Sequence, residues 1–244
     1  AGSDIYLSNR TSAKAEALAS ELHANAVTNL DIARNCDYIF LGVKPQMMEE
    51  VLTDLSEFLK LRDSDSFVLV TMAAALSIAD IRRMSGCDCR VLRIMPNTPA
   101  SIGEGVILYA YDSTLDKETA TDIIHSLKGA GECVLLPEKL IDAGSAVAGC
   151  GPAFAQMFIE ALADGGVACG LPRMEATLLA AKMLKGSAAL TLESGSTPGE
   201  LKDQVCSPGG STIQGVRTLE ECGFRGAVMD AVIAAYDKTL DMKK

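Results

Sequence analysis

The order of apolar and polar positions divides the chain into two parts of different kind. As far as about Leu136, short apolar runs rich in β-branched and aromatic residues recur at Ile5-Tyr6-Leu7 and at 38–43, 67–71, 91–95, 106–109 and 133–136. Each run has the length of a strand, and helical periodicity fills the intervals. In Ser12–Leu22, for example, Ala15, Leu18, Ala19 and Leu22 share one helical face. This alternation predicts βαβ units around a largely parallel, doubly wound sheet, an α/β domain over residues 1–137.

Beyond Pro137 the strand signals stop, and residues 138–244 read as all helical. Phe154, Met157, Phe158, Ala161 and Leu162 follow i, i+3, i+4, i+7, i+8 spacing, and Val228, Met229, Val232, Ile233, Tyr236 and Leu240 repeat it near the end. Residues 174–192 differ, with Ala, Leu and Met on every side, interrupted by Lys182, Lys185 and Gly186-Ser187. A helix apolar all round must be buried all round, and in so small a helical domain that burial calls for a second chain. The pattern therefore predicts a dimer with interleaved helices; a central helix buried within one subunit is the alternative.

Composition narrows the function. The chain has 244 residues, 48% of them apolar, enough to supply cores for two domains. Apolar runs such as 38–43 and 67–70 fall far short of the roughly 20 residues that cross a bilayer, so no membrane segment is expected. Ala1-Gly2-Ser3-Asp4 has neither the basic start nor the apolar run of an export signal. The formal charge is −10, with acids and bases interleaved, which disfavours a nucleic-acid surface and leaves any bound anion to be held by local geometry. The eight cysteines form no C-x-x-C pair; Cys87-x-Cys89 is too close for the usual zinc spacing, and neither His23 nor His125 sits in a paired-ligand pattern. No metal site is expected, and the cysteines read as the reduced thiols of a cytoplasmic protein.

In an α/β sheet, ligands bind at the carboxyl ends of the strands. Ile5-Tyr6-Leu7 runs into Ser8-Asn9-Arg10-Thr11. At the corresponding place in a dinucleotide-binding sheet an acid binds the ribose 2′-hydroxyl and an Arg accommodates a 2′-phosphate. Asn9, Arg10 and Thr11 include no acid, which predicts NADPH, with NADH possible. A plain strand-to-helix turn would use the same residues. The companion motif G-x-G-x-x-G is absent from the expected place, since Gly209-Gly210 lies in the helical part. If Ile5-Tyr6-Leu7 is a second strand, a first βα unit of roughly 30 residues is expected to be missing. Two other strand ends are candidates. Leu41-Gly42-Val43 runs into Lys44-Pro45, where Pro45 stops the strand and opens a helix at about Gln46. Residues 91–95 run into Pro96-Asn97-Thr98-Pro99, where two prolines predict a rigid, extended loop.

The helical part contains Lys202-Asp203-Gln204-Val205-Cys206-Ser207-Pro208-Gly209-Gly210-Ser211-Thr212-Ile213. Pro208 and the two glycines break one helix, and Ser211-Thr212 falls where the next begins. Free backbone N–H groups and two hydroxyls there make a site for a carboxylate, although an ordinary helix start would look the same. A second glycine-rich bend, Gly149-Cys150-Gly151-Pro152, also opens a helix.

Across nearly its whole length the chain resembles the pyrroline-5-carboxylate reductases. The likeness runs through Asn9-Arg10-Thr11, Val43-Lys44-Pro45, Met95-Pro96-Asn97-Thr98-Pro99, Gly149-Cys150-Gly151-Pro152-Ala153 and Glu160-Ala161-Leu162-Ala163-Asp164-Gly165-Gly166-Val167. It continues through Gly170-Leu171-Pro172-Arg173, Leu201-Lys202-Asp203, Ser207-Pro208-Gly209-Gly210-Ser211-Thr212 and Gly223-Phe224-Arg225. The resemblance implies a Rossmann-like NADPH domain followed by a helical dimerisation domain, with dimers commonly joined in a larger ring. It implies Asn9, Arg10 and Thr11 at the 2′-phosphate, Val43, Lys44 and Pro45 along the ribose and adenine, and Met95, Pro96 and Asn97 near the nicotinamide. Gly209, Gly210, Ser211 and Thr212 would hold the pyrroline carboxylate and ring nitrogen. Two positions depart from the family: Ala75 replaces a frequent glycine, and Ala148 replaces the Ser or Thr that usually precedes Gly149.

The implied reaction is hydride transfer to a cyclic imine while its nitrogen gains a proton, the last step of proline formation. The substrate loop offers no His, Lys or acid suited to proton transfer, so the Thr212 hydroxyl is the candidate partner of the nitrogen. A β-hydroxyacid dehydrogenase of this shape would carry a lysine base on its first long interdomain helix, and residues 153–167 contain none. Another imine reductase, or a non-catalytic dinucleotide-binding or oligomerisation module, remains as an alternative.

Overall fold

The computed structural model describes residues 2–242. The first strands and helices are β1 (Tyr6–Leu7), α1 (Ser12–Leu22), β2 (Asn25–Ala26) and α2 (Asn29–Asn35). Then come β3 (Tyr38–Leu41), α3 (Pro45–Lys60), β4 (Val68–Thr71), α4 (Ile78–Ser85), β5 (Arg90–Met95), β6 (Gly105–Tyr111), α5 (Lys117–Leu127), β7 (Gly131–Leu135) and α6 (Ile141–Ala148). The remainder is helical: α7 (Gly151–Ala168), α8 (Arg173–Ser194), α9 (Pro198–Val205), α10 (Ser211–Glu221) and α11 (Phe224–Asp241). By packing, the chain through Gly149 groups with the segment from Tyr236 onward, and Cys150–Ala235 forms a second unit.

Strands β3 to β7 form one sheet in that order, parallel except for the β5–β6 pair, which is antiparallel. The exception has a simple cause. Only 96–104 connects β5 to β6, too short for the crossover a parallel pair needs. Strands β1 and β2 pair in parallel as a separate two-stranded sheet. Strand β4 is buried along its whole length, which explains why Val68-Leu69-Val70 reads as a continuous apolar run rather than an alternating one.

Helices cover both faces of the five-stranded sheet. On one face Ile39, Leu41, Leu69 and Val91 meet Met48, Leu52, Leu55 and Leu59 of α3 and Ile78 and Ile81 of α4. On the other, Val68, Val70, Leu92, Ile94 and Ile107 meet Ala120, Ile123 and Ile124 of α5. Ile141 of α6 packs on Leu108 and Ala110 of β6. Capping boxes start α2 (Thr28 with Asp31) and α4 (Ser77 with Asp80) cleanly, and a third, Thr197 with Glu200, starts α9.

A buried cation sits within the first face. Arg93 on β5 is 1% exposed and donates from Nη2 to Asp142 Oδ1 at 2.6 Å; its Nη1 lies 3.6 Å from Glu138 Oε1. The same Glu138 oxygen accepts the Ile78 N–H at 2.7 Å, at the first residue of α4. One guanidinium thus ties β5 to α6 and, through Glu138, to the start of α4.

In the helical unit α7 and α8 pack closely over small residues: Ala163, Ala176 and Ala180 are buried, and a Cβ on Gly166 would lie 3.2 Å from that of Ala176. The rings of Phe158 and Phe224 stand 5.7 Å apart. The expected all-round burial of α8 is not met within one chain. Among its large apolar side chains, Met174, Leu178, Leu179, Met183, Leu190 and Leu192 remain exposed. Leu18 and Leu22 of α1 are also exposed, although the sequence groups them with buried Ala15 and Ala19.

Other differences are local. The two-residue strand β2 is too short to show a period. Pro45 is itself the first residue of α3, and Thr98–Ile102 forms a 3₁₀ turn, so the extended part of that loop ends at Asn97. Glu138–Ala168 is long and apolar enough to cross a bilayer by length and composition, contrary to the expectation of no such run. Ala and Gly, rather than a block of large apolar residues, give it that character. It is divided into α6 and α7, and α6 carries the buried Asp142 carboxylate. Removing one partner of a buried ion pair leaves a charge uncompensated, so Asp142→Ala should lower unfolding stability by about 3–5 kcal/mol in urea denaturation. A loss below about 1 kcal/mol would show that Arg93 finds another partner.

Candidate active site

At the end of β1 the chain turns through an Asx arrangement in which Asn9 Oδ1 accepts the Thr11 N–H at 2.9 Å. Thr11 is the N-cap of α1 in extended conformation, and its hydroxyl does not cap the helix. Ser8, Asn9, Arg10 and Ser12 line one side of a cavity of about 650 Å³ whose other side is formed by Thr28, Asn29 and Asp31. Arg10 is exposed and makes no ion pair with the described residues. Two acids share the cavity, Glu16 and Asp31. Asp31 is committed locally: its Oδ2 accepts the Thr28 hydroxyl at 2.6 Å and the Thr28 N–H at 3.0 Å. Those bonds, the hydroxyl's first, hold its carboxyl below the usual carboxylate range. A free guanidinium beside uncapped N–H groups at a helix start fits a phosphate ester.

Val43, Lys44 and Pro45 follow β3, and Met95, Pro96 and Asn97 follow β5; the two strands flank β4 in the sheet. Val43 packs on the core, whereas Lys44 is exposed at the N-cap of α3 and no side chain caps that helix. Asn97 has both ends of its amide in use. Its Nδ2 donates to the Ala148 carbonyl at 2.9 Å, and its Oδ1 accepts the Val106 N–H at 2.9 Å. The side chain therefore pins the loop to the end of α6 and the start of β6, and the backbone is what this loop presents to a ligand. Between these two loops lies the one after β4, where Ala75 has φ +65°. This left-handed conformation costs a residue with a Cβ about 1–2 kcal/mol, a cost that glycine would not carry.

The second glycine-rich turn is built by close approach. Gly209 has φ +70°, and a Cβ on Gly210 would collide with Ser207 Oγ. Gly210 N donates to Ser207 O at 3.0 Å and is the N-cap of α10, with no side chain capping the helix. Ser211 and Thr212 are exposed on the first turn, and their hydroxyls make no hydrogen bond among the described residues. Lys202 and Asp203 pair with each other at 2.6 Å rather than with this turn. Free amides and two hydroxyls at one helix start offer a cluster of hydrogen-bond donors to an anionic group.

The Escherichia coli pyrroline-5-carboxylate reductase is 38% identical over 232 residues, spanning 95% of this chain and 85% of the relative. This chain belongs to the pyrroline-5-carboxylate reductase family. The family described as pyrroline-5-carboxylate reductase dimerisation matches residues 138–242, and that described as NADP oxidoreductase, coenzyme F420-dependent, matches residues 1–73. The soybean (Glycine max) reductase is 38% identical over 215 residues, covering 88% of this chain and 77% of its own length. Among solved structures, the Plasmodium falciparum pyrroline carboxylate reductase with NADP bound is 30% identical, with a TM-score of 0.88 over 100% of this chain and 89% of that one. The Coxiella burnetii enzyme is 27% identical with a TM-score of 0.89, covering 98% and 88%. The first unit is therefore a Rossmann-like α/β domain and the second a helical dimerisation domain of the reductase type.

Sequence reasoning missed the far wall of the Arg10 cavity, formed by Thr28, Asn29 and Asp31. The only signal there was the Thr28-x-x-Asp31 capping box, which reads as a helix start and nothing more. The left-handed position in the β4 loop gives a direct test. Ala75→Gly should raise unfolding stability by about 1 kcal/mol, read as a higher urea midpoint at unchanged slope. A lower midpoint would mean that lost packing of the buried methyl outweighs relieved strain.

Proposed function

We propose that this chain is a pyrroline-5-carboxylate reductase, converting 1-pyrroline-5-carboxylate to L-proline, the last step of proline biosynthesis, with NADPH as the preferred cofactor. The observation that carries the reading is the start of α10, where uncapped amides and the free hydroxyls of Ser211 and Thr212 stand behind the Gly209-Gly210 turn. A five-membered imino acid has the groups such a turn recognises: a carboxylate for the amides and Ser211, and a ring nitrogen for a hydroxyl. Bound NADPH supplies the hydride that reduces the imine carbon.

The chain's own residues bind, orient and help with one proton. Arg10 takes the 2′-phosphate, with Asn9 shaping the turn and the Thr11 end of α1 presenting its amides. Val43, Lys44 and Pro45 line the ribose and adenine path. Met95 and Pro96 lie beside the nicotinamide, on a loop whose shape Asn97 holds. Gly209 and Gly210 allow the backbone to approach the carboxylate. Thr212 orients the ring nitrogen and relays its proton from water, a role suited to a site whose loop has no stronger acid. The apolar side chains left bare on α8 support burial against a second copy of the same helical domain, and we infer a dimer that assembles further into a ring. The eight free cysteines support a reducing compartment, which we take to be the cytoplasm.

The activity is tested by NADPH absorbance on addition of pyrroline-5-carboxylate; no decay with NADPH or NADH would overturn the assignment. Thr212→Ala should lower kcat by about 10²–10⁴-fold with the fold retained, the usual size of a general acid–base contribution. An unchanged rate would remove Thr212 from the mechanism. Arg10→Ala should raise the KM for NADPH by about 10–100-fold, as expected for a lost charge-assisted hydrogen bond, and leave that for NADH nearly unchanged. Equal effects on both cofactors would place Arg10 away from the 2′-phosphate.

A further inference from the structure

Helix α4 ends at Ser85, and Gly86, with φ +63°, reverses the chain. The reversal brings Cys87 and Cys89 back beside the last helical side chain. Cys87 Sγ donates to Ser85 Oγ at 3.3 Å, and Cys89 Sγ lies 3.8 Å from the same oxygen. Ser85 Oγ is itself fixed by donating to the Arg82 carbonyl at 2.9 Å. The two thiols are thus held as neighbours around one buried hydroxyl. They are not equivalent: Cys87 is half-buried, whereas Cys89 is 0% exposed. Lys60, at the end of α3, reaches over the turn, its Nζ 2.9 Å from where a Cβ on Gly86 would stand.

We propose that Cys87 and Cys89 are a redox-active dithiol, with Cys87 the attacking thiolate and Cys89 the resolving thiol, oxidised by exchange with a low-molecular-weight disulfide. The chemistry balances without any other reactant. Cys87 attacks one sulfur of the small disulfide, forming a mixed disulfide and releasing one small thiolate. Cys89, losing its proton to solvent, displaces the second small thiolate and closes the Cys87–Cys89 bond. The pair loses two electrons and two protons, and the small disulfide becomes two thiols.

The asymmetry of the two sulfurs supports these roles. The hydrogen bond from Cys89 holds the Cys87 thiol below its ordinary range, helped by Ser85 and by the Lys60 ammonium and opposed by burial and Asp88. Cys89 is pushed up, first by its bond to Cys87 and then by burial. Elsewhere burial raises the thiols of Cys36 and Cys133, and Cys169 and Cys222 are exposed thiols that serve as references for ordinary reactivity. The dithiol precedes β5, at the opposite end of that strand from the Met95-Pro96-Asn97 loop, so it is separate from the cofactor site.

Trypsin cuts after Arg83 and Arg90 and releases a peptide, 84–90, that holds these two cysteines and no other. The reduced full-length protein is incubated with oxidised glutathione while folded, quenched with iodoacetamide, digested without reduction and analysed by mass spectrometry. Peptide 84–90 should appear lighter by two hydrogens, and should form about tenfold faster than glutathione adducts on Cys169 or Cys222. Cys89→Ser should stop at a glutathione adduct on Cys87, and Cys87→Ser should leave Cys89 unreacted. Recovery of the doubly alkylated peptide after Cys169 or Cys222 has reacted would overturn the proposal. So would a glutathione adduct that persists on Cys87 in the unaltered chain.

Discussion

Much of the first unit depends on how one buried positive charge is neutralised. Arg93 points into the face of the sheet that α3, α4 and α6 cover, a place where an unpaired guanidinium would be very costly. Asp142 and Glu138 answer it, and because Glu138 also accepts the first amide of α4, the charge fixes two elements at once. Just beyond the end of β5, Asn97 repeats the link by holding the Ala148 carbonyl at the other end of α6. Helix α6 is therefore tied to β5 at both ends, by charge at one and by an amide at the other. The loop that follows β5 is consequently a fixed wall rather than a mobile flap. An apolar residue in place of Arg93 could fill the same volume, but it would not set α4 and α6 relative to one strand.

That network also explains what the sequence could and could not disclose. The alternation of strand and helix, the change to all helix after Pro137, and the start of α1 are local periodic signals, and they appear in the structure nearly as read. The antiparallel turn of β6 follows from a connection length, which can be counted but only interpreted once β5 and β6 are known to be neighbours. Arg93 reads as a polar break within an apolar strand, and its partners lie 45 and 49 residues away, beyond any window of periodicity.

The candidate site was legible to different depths in its parts. Gly209-Gly210 and Ser211-Thr212 could be read as a helix start open to an anion because the residues that break one helix and begin the next are the same ones whose amides are left without a side-chain cap. Asn97 could not be assigned in that way. Its neighbours marked a rigid loop, but its amide is spent on Ala148 and Val106, so a polar residue that looked like a ligand group is a brace. The cysteines show the reverse case. Cys87-x-Cys89 reads on spacing as a poor metal pair, and spacing does not reveal that a helix reversal seats both thiols on Ser85.

The charge balance limits how such a site can work. A chain with a formal charge of −10 must hold an anionic imino acid and a polyphosphate cofactor, so its long-range field works against both. Screening leaves that repulsion weak beyond roughly 8–10 Å at ordinary ionic strength, and inside that distance local groups decide. Among the described residues the uncommitted groups are Arg10, which makes no ion pair there, the uncapped amides at the starts of α1 and α10, and the hydroxyls of Ser211 and Thr212. Two nearby acids have local partners: Asp31 accepts from the Thr28 hydroxyl, and Asp203 pairs with Lys202. Anion binding in so acidic a protein thus depends on uncommitted donors close to the ligand rather than on the field of the whole chain.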